Sequence, residues 1–328
     1  MNKFIIKSLL FFTIIVILFI SIRLLELRKV SNKSDYLSAI IDKHRHAENI
    51  YSPKIVFAGG SNLAFGIDSK KIEEEIGLPV INLGLNAGLG LTFILNELKY
   101  TINKNDIVFL SLEYFIENEG DYKTKKYTAK FYPECKKYFN TNYSLEVKDY
   151  LEEQHIIFKN IFTDETNNVI NYDTTIYSRK SFNEYGDNTK HLNMLRPVKL
   201  NDRSSFSYTK WEGINEINRF NEFAKHIQVN TFFLFPPYPS SEYQKNRRSI
   251  ELLESDLLEF LNVELPNKSI DFVYPDSCFF DTIYHLNKKG REKRTEKLIE
   301  IFKENPNIQT AIRRAKIGNN TIHHSTTN

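Results

Sequence analysis

The chain carries little net charge and few cysteines, and both shortages narrow what it can do. Its 328 residues include 44 basic and 41 acidic side chains, which leaves a formal net charge of +3. A balance this close gives no electrostatic reason to expect a nucleic-acid partner. The two cysteines, Cys135 and Cys278, are too far apart in sequence for a metal motif, and they could pair only if the fold brought their Cα atoms within about 7 Å.

Metal-ligand spacing and internal repeats are also missing from the sequence. No spacing typical of zinc ligands connects the histidines His44, His46, His191, His226 and His285. We therefore predict neither a metal nor another cofactor. Aromatic residues are plentiful instead, with 25 Phe and 18 Tyr against a single Trp. They favour strands and core packing, and they could also supply stacking surfaces for sugar rings.

The amino-terminal segment indicates contact with a membrane. From Ser8 to Ile22 the chain is uncharged and almost entirely aliphatic or aromatic, and no small-x-small cleavage site follows. With Leu24 and Leu25 the run approaches the roughly 18–20 residues that cross a bilayer. We predict an uncleaved transmembrane signal anchor over residues 1–30, with the remaining chain exported to the periplasmic or extracellular face. The basic residues after the run outnumber those before it, which opposes the positive-inside expectation for this orientation.

Residues 31–52 are polar and are interpreted as a stalk or a helical spacer in which His44 and His46 are solvated. From residue 53 apolar strands and amphipathic helices alternate. The predicted strands are Lys54–Ala58, Val80–Leu83, Asp106–Leu112, Thr231–Phe235 and, as a fifth strand, Ile270–Val273. The predicted helices are Ser69–Ile76, 91–103, Glu212–Ile227, Ser241–Leu261 and Lys288–Lys303. This alternation is typical of a parallel sheet covered by helices on both faces.

The alternation is interrupted between residues 117 and 210. This stretch is rich in Tyr, Asn, Lys and Thr, with local helical patches such as Val147–Phe158, and is interpreted as an insertion or lid. The main domain therefore extends over residues 53–304. We expect the remaining residues, 305–328, to form a flexible tail.

Ser61 is the first candidate for chemistry. It follows Gly59 and Gly60 directly after the first predicted strand, where sheets of this class present their carboxyl edge to ligands. Glycines allow a sharp turn, and a helix that starts at the serine would place amide donors near a developing oxyanion. The same sequence is also ordinary turn chemistry.

Asp281 and His285 form the second candidate, on a short segment before the last predicted helix. A serine hydroxyl becomes a good nucleophile when a neutral imidazole removes its proton, and a carboxylate on the other ring nitrogen fixes the tautomer. A histidine that merely packs against Tyr284 or caps the helix is the alternative. The combination with Ser61 favours catalysis.

At these residues the chain resembles the SGNH/GDSL hydrolase superfamily. The resemblance covers residues 54–116 and 229–303, with Gly59-Gly60-Ser61 similar to the first block and Asn82-Leu-Gly84-Leu-Asn86-Ala-Gly88 similar to the second. It implies a three-layer α/β/α fold with a parallel, flavodoxin-like sheet. It also implies an oxyanion hole built from the Ser61 amide, the Gly84 amide and an asparagine after the third strand.

Two blocks depart from the family pattern. Where the family has Gly-x-Asn-Asp, this chain has Ser111-Leu-Glu113-Tyr, and the acid and histidine stand one residue further apart than in Asp-x-x-His. Losing one oxyanion donor typically costs about 3–4 kcal/mol of transition-state stabilisation. We therefore expect Asn86 or Asn62 to replace the missing donor. Gly60 completes the predicted oxyanion and substrate-binding set.

An anchored domain of this type is similar to envelope proteins that transfer acyl groups to or from surface polymers, including alginate acetylation and teichoic-acid D-alanylation proteins. This resemblance implies a serine esterase or O-acyltransferase acting on surface polysaccharide or another acyl ester, served by a membrane-bound acyl-donor protein. An alternative is a catalytically inactive envelope protein that binds glycan or scaffolds polysaccharide assembly.

Overall fold

The computed structural model describes residues 2–29, 35–141, 144–145, 147–148, 150–152, 176–195, 197, 200–201 and 205–325. The helices of this part are α1 Asn2–Lys29, α2 Ile40–Asn49, α3 Ser61–Ala64, α4 Ser69–Ile76, α5 Leu91–Thr101, α6 Tyr122–Phe131, α7 Gly213–His226, α8 Ser240–Phe260, α9 Lys288–Glu304 and α10 Pro306–Ser325. The strands are β1 Ile55–Gly59, β2 Val80–Asn82, β3 Ile107–Ser111, β4 Asn230–Leu234, β5 Tyr238–Pro239 and β6 Val273–Tyr274.

The core is a parallel four-stranded sheet in the order β2-β1-β3-β4. Every residue of β1 and β3 is buried, as their continuous apolar sequences indicate for central strands covered on both faces. Helix α5 packs with α7, and α9 packs with α4 and α10. The prediction of an α/β domain with a parallel sheet is confirmed, and the first four predicted strands agree with β1–β4 within one or two residues at each end.

The predicted fifth strand is wrong. Ile270 lies in a 3₁₀ turn, Ser269–Phe272, and the short β6 that follows pairs with β5 instead of extending the main sheet. The turn is favoured because the Asp271 carboxylate accepts the Lys268 amide at 2.7 Å. Next to β4, the described residues contribute one isolated bridge, between Phe232 and Glu264.

The carboxyl-terminal segment expected to be flexible forms α10. Four of its side chains, Ile308, Ala311, Ile312 and Ala315, are buried in the core at helical spacing. Asn305 caps the helix, since its Oδ1 accepts the Ile308 amide at 3.0 Å. The segment is polar in overall composition, and this composition does not reveal the apolar stripe along one face of the helix.

The interval interpreted as a stalk or spacer contains α2, which packs against β2 and α5. His44 is not solvated as expected: it is 5% exposed and its Nε2 is 2.8 Å from Glu97 Oε1. Cys135 and Cys278 are both buried and both free. Most of the predicted helical patch Val147–Phe158 lies outside the described residues.

The first helix, α1, presents large apolar side chains to its surroundings from Phe4 to Ile20, with Phe4 76% exposed and Ile20 52% exposed. Among the residues described, no helix combines the length and the apolarity required to cross a membrane.

Candidate functional site

Ser61 stands at the carboxyl edge of the sheet, where β1 ends and α3 begins. Its side chain is partly exposed. A Cβ on Gly60 would lie 2.3 Å and 2.4 Å from the carboxylate oxygens of Glu113. A larger residue at position 60 would therefore have to displace the Glu113 side chain.

Asp281 and His285 form a hydrogen-bonded pair, as predicted for a triad. His285 Nδ1 lies 2.9 Å from Asp281 Oδ1, and both residues are buried. The extra residue between acid and histidine is absorbed by a turn in which Thr282 Oγ1 accepts the His285 amide at 3.2 Å. The spacing that departs from the family pattern therefore still delivers the carboxylate to the ring.

Tyr177 contacts both residues of this pair, and the sequence did not indicate its role. Its hydroxyl donates to Asp281 Oδ2 and lies 3.4 Å from His285 Nδ1. Burial raises the pKa of Asp281, but the hydrogen bonds and charge of His285 and the hydrogen bond from Tyr177 outweigh it and lower the pKa below its ordinary value. Asp281 is thus held as a carboxylate. Tyr177 lies in the irregular insertion, where no periodicity points to a function.

The histidine and serine segments meet through Phe65. The rings of Phe65 and His285 stack with centroids 3.9 Å apart and planes within 8°. Phe65 belongs to the turn that carries Ser61, since its amide donates to the Ser61 carbonyl at 3.0 Å. The two predicted segments therefore converge on one site.

Ser61 and His285 are not hydrogen-bonded to each other in this conformation. Within the described part of the chain, Ser61 Oγ bonds only to Glu113 Oε1, at 3.5 Å, and His285 Nε2 has no partner. The same Glu113 oxygen accepts the Asn62 amide at 3.0 Å. Glu113, noticed in the sequence only as a departure from the family pattern, is thus the nearest polar partner of the candidate nucleophile.

The predicted oxyanion donors make different hydrogen bonds within the protein. The Gly84 amide already donates to Asn82 Oδ1 at 2.9 Å, and Asn86 Oδ1 accepts the Gly88 amide at 2.7 Å. Asn62 is fully buried, and its Nδ2 donates to the Ser111 carbonyl at 2.9 Å. The Asn62 side chain is therefore directed to the interior, and its role as an oxyanion donor stays a prediction.

Arg294 supports the turn that carries Ser61 and Asn62. This fully buried side chain of α9 donates to the Asn62 carbonyl at 2.8 Å and to Ser111 Oγ at 2.8 Å. Burial lowers its pKa to about 10. In the sequence it is one of several basic residues in the first turns of a helix, which look solvated by composition.

Tyr36 closes one wall of the site. Its hydroxyl donates to the Leu85 carbonyl at 2.7 Å, and its ring packs 6.3 Å from that of Phe65 and 5.8 Å from that of Tyr177. Burial, together with the charges of Glu113 and Asp281, raises its pKa well above the ordinary value. The segment directly after α1 therefore belongs to the site.

His191 is a second buried histidine beside the site. Its Nε2 is 2.8 Å from the Leu286 carbonyl, and its ring packs 4.8 Å from Phe65. Burial lowers its pKa to about 4, so it remains neutral near neutral pH. Its role is to support the loop that carries His285.

The site thus unites a serine at a strand end, a histidine oriented by a buried carboxylate, and a second carboxyl group beside the serine. No protein-family model matches the chain, and no curated protein matches its sequence.

Proposed function

We propose that the chain is a serine-dependent esterase or O-acyltransferase of the SGNH type. In this proposal Ser61 is the nucleophile, His285 the general base and Asp281 the residue that orients His285. The observation that carries it is the stack of His285 on Phe65, because it places an imidazole with a carboxylate on Nδ1 beside the turn of a strand-end serine. The strand order β2-β1-β3-β4 is compatible with a three-layer, flavodoxin-like arrangement.

The chemistry requires one proton acceptor and one covalent intermediate. His285 Nε2 takes the hydroxyl proton as Ser61 Oγ bonds to the acyl carbon, and Asp281 stabilises the resulting imidazolium. The bond to the leaving oxygen then breaks as His285 returns the proton to it. Water completes an esterase cycle, and a sugar hydroxyl completes an acyl transfer.

The proposed substrate is an acyl ester of cell-envelope polysaccharide, with the domain attached to a membrane by α1. The exposed apolar surface of α1 supports membrane attachment, since such surfaces mark membrane or protein contacts. A membrane-bound acyl-donor protein would supply the acyl group in the transferase form of the proposal.

A fluorophosphonate probe tests the proposal, because it phosphonylates an activated serine and releases fluoride. We expect labelling of the full-length wild type, loss of labelling in Ser61→Ala, and strong reduction in His285→Ala. Ser207→Ala, which changes an exposed serine, is the matched control and should label normally. Equal labelling of Ser61→Ala and wild type would remove Ser61 from the mechanism.

A catalytically inactive glycan-binding protein is the second candidate. Two observations favour it: the Ser61 hydroxyl bonds to Glu113 instead of His285, and a separate cavity of about 400 Å³ is lined by Tyr51, Tyr100 and Tyr132. Exposed tyrosine faces suit sugar rings. In this case Ser61→Ala and His285→Ala would leave glycan binding and cellular phenotype unchanged, whereas Tyr51→Ala and Tyr100→Ala would weaken binding.

A further inference from the structure

Glu113 is buried in direct contact with the proposed nucleophile. It follows β3 by two residues and is only 5% exposed. One carboxyl oxygen, Oε1, accepts the Asn62 amide and lies 3.5 Å from Ser61 Oγ. The other, Oε2, is buried and has no hydrogen-bond partner among the described residues. A buried carboxylate normally has partners for both oxygens, so the unpartnered oxygen requires an explanation.

The charged groups around Glu113 do not provide an ion pair. Arg294 and His285 are close enough to interact with its charge, but Arg294 directs its hydrogen bonds to Asn62 and Ser111, and His285 Nδ1 faces Asp281. The other titratable groups facing it are the phenols of Tyr36 and Tyr284. Burial therefore raises the pKa of Glu113 despite the amide hydrogen bond that it accepts.

The charge state of Glu113 decides whether the site favours or opposes acyl transfer. A carboxylate beside Ser61 accepts a hydrogen bond from the hydroxyl and repels the negative oxygen that forms during attack. A neutral carboxylic acid is instead a donor, and such acids in apolar sites can stabilise oxyanions. Among the donors predicted for this oxygen, the amide of Gly84 and the side chain of Asn62 already donate to protein oxygens.

We propose that Glu113 is a catalytic residue that acts as the neutral acid and donates a hydrogen bond to the oxyanion formed at Ser61. This inference rests on the proposed function. As the bond from Ser61 Oγ to the acyl carbon forms, the hydroxyl proton moves to His285 Nε2 and the carbonyl electron pair moves to oxygen. Glu113 keeps its own proton throughout and only donates the hydrogen bond. Collapse of the intermediate expels the leaving oxygen, which takes the proton from His285.

The test compares Glu113→Gln with Glu113→Ala in the full-length protein, with the rate of fluorophosphonate labelling measured across pH. Gln has nearly the same shape and can donate at every pH, whereas Ala cannot donate. We expect Glu113→Gln to label at a rate similar to the wild type at acidic pH. Wild-type labelling should fall as pH rises through the raised pKa of Glu113, and labelling of Glu113→Gln should not. Glu113→Ala should label about a hundredfold to a thousandfold more slowly, as for loss of one oxyanion donor.

Glu117→Gln, an exposed change on the same loop, is the matched control and should retain the wild-type pH profile. Circular dichroism establishes that each variant is folded. In addition, the infrared spectrum of Glu113→Gln is subtracted from that of the wild type. A carboxylic C=O band in this difference spectrum reports the neutral acid of Glu113, and the measurement needs only the isosteric variant. Equal losses in the Gln and Ala variants, or a missing infrared band at acidic and neutral pH, would overturn the role of Glu113 alone. Wild type that labels at no pH would overturn the proposed function as well.

Discussion

Tyr177 is the residue whose removal most directly tests the Asp281–His285 pair. Tyr177→Phe deletes the hydroxyl that donates to Asp281 Oδ2 and leaves the ring in place. Hydrogen bonds to charged groups contribute about 1.5–3 kcal/mol, so we expect a free energy of unfolding lower by about 1–2 kcal/mol and slower Ser61 labelling. Chemical denaturation and labelling rates measure the two effects. Tyr100→Phe, at a 61% exposed tyrosine, should change neither, and an unaltered Tyr177→Phe protein would contradict the assigned role.

Glu113 should also make stability depend on pH. Because burial raises its pKa in the folded state above the ordinary value of 4.5, the folded protein binds this proton more tightly than the unfolded chain does. The stability that the neutral acid contributes is fully present below the unfolded pKa and is lost as pH rises through the folded pKa.

Thermal unfolding of wild type and Glu113→Gln across pH measures this linkage. We expect Glu113→Gln to gain melting temperature relative to wild type as pH rises above about 4.5, since the amide carries no charge to bury. A difference between the two proteins that stays constant from pH 4 to pH 8 would argue against a buried acid with a raised pKa.

At the level of secondary-structure elements, α9 holds the turn that carries Ser61 through Arg294. Replacing the guanidinium by Met removes the donors to the Asn62 carbonyl and Ser111 Oγ and leaves buried acceptors unpaired. Each buried unpaired group costs about 1–3 kcal/mol, so we expect Arg294→Met to lower the free energy of unfolding by about 2–4 kcal/mol. Labelling of Ser61 should fall too. Denaturant titration is the measurement, and Lys293→Met, an exposed change on the same helix, should remain near wild type.

The elements themselves followed closely from the sequence where their periodicity was strong. β1 and β3 are almost entirely apolar, β4 ends in an apolar run, and α4 is marked by Asp68 at its start and Gly77 at its end. The fifth strand was predicted wrongly because a local side-chain hydrogen bond at Asp271 favours a turn over the apolar pattern. The tail depends on tertiary contacts, since four apolar residues among the described side chains of α10 are buried in the core.

The site followed from the sequence only in part, for the same reason. Ser61, Asp281 and His285 stand at the edges of regular elements, where position indicates chemistry. Tyr177 and Arg294 could not be recognised, because one lies in an irregular segment and the other in a helix turn rich in charged residues. Their roles depend on which atoms face them after folding.

For the whole molecule, the proposed membrane attachment depends on the exposed apolar side chains of α1. Leu10, Ile14 and Ile17 are each more than half exposed, which disfavours a free existence in water for this helix. We expect the full-length protein to float with lipid vesicles in a density gradient. The triple variant Leu10→Lys, Ile14→Lys, Ile17→Lys should stay in the soluble fraction, and flotation of both proteins would contradict membrane attachment through α1.

The packing of Tyr36 against Phe65 and Tyr177 also affects how a truncated version should be designed. Deleting the apolar helix α1 is an obvious way to obtain an easily purified fragment. Because residues 31–52 are polar, their composition gives no reason to keep them, and a fragment that begins near residue 53 would be a natural choice. Such a fragment would lose Tyr36, which forms one wall of the candidate site, together with Lys43, whose ammonium binds the Asn82 carbonyl at 2.9 Å. A fragment that begins before Asp35 keeps both Tyr36 and Lys43. Absence of Ser61 labelling in the shorter fragment would therefore reflect the choice of boundary and would not test the proposed chemistry.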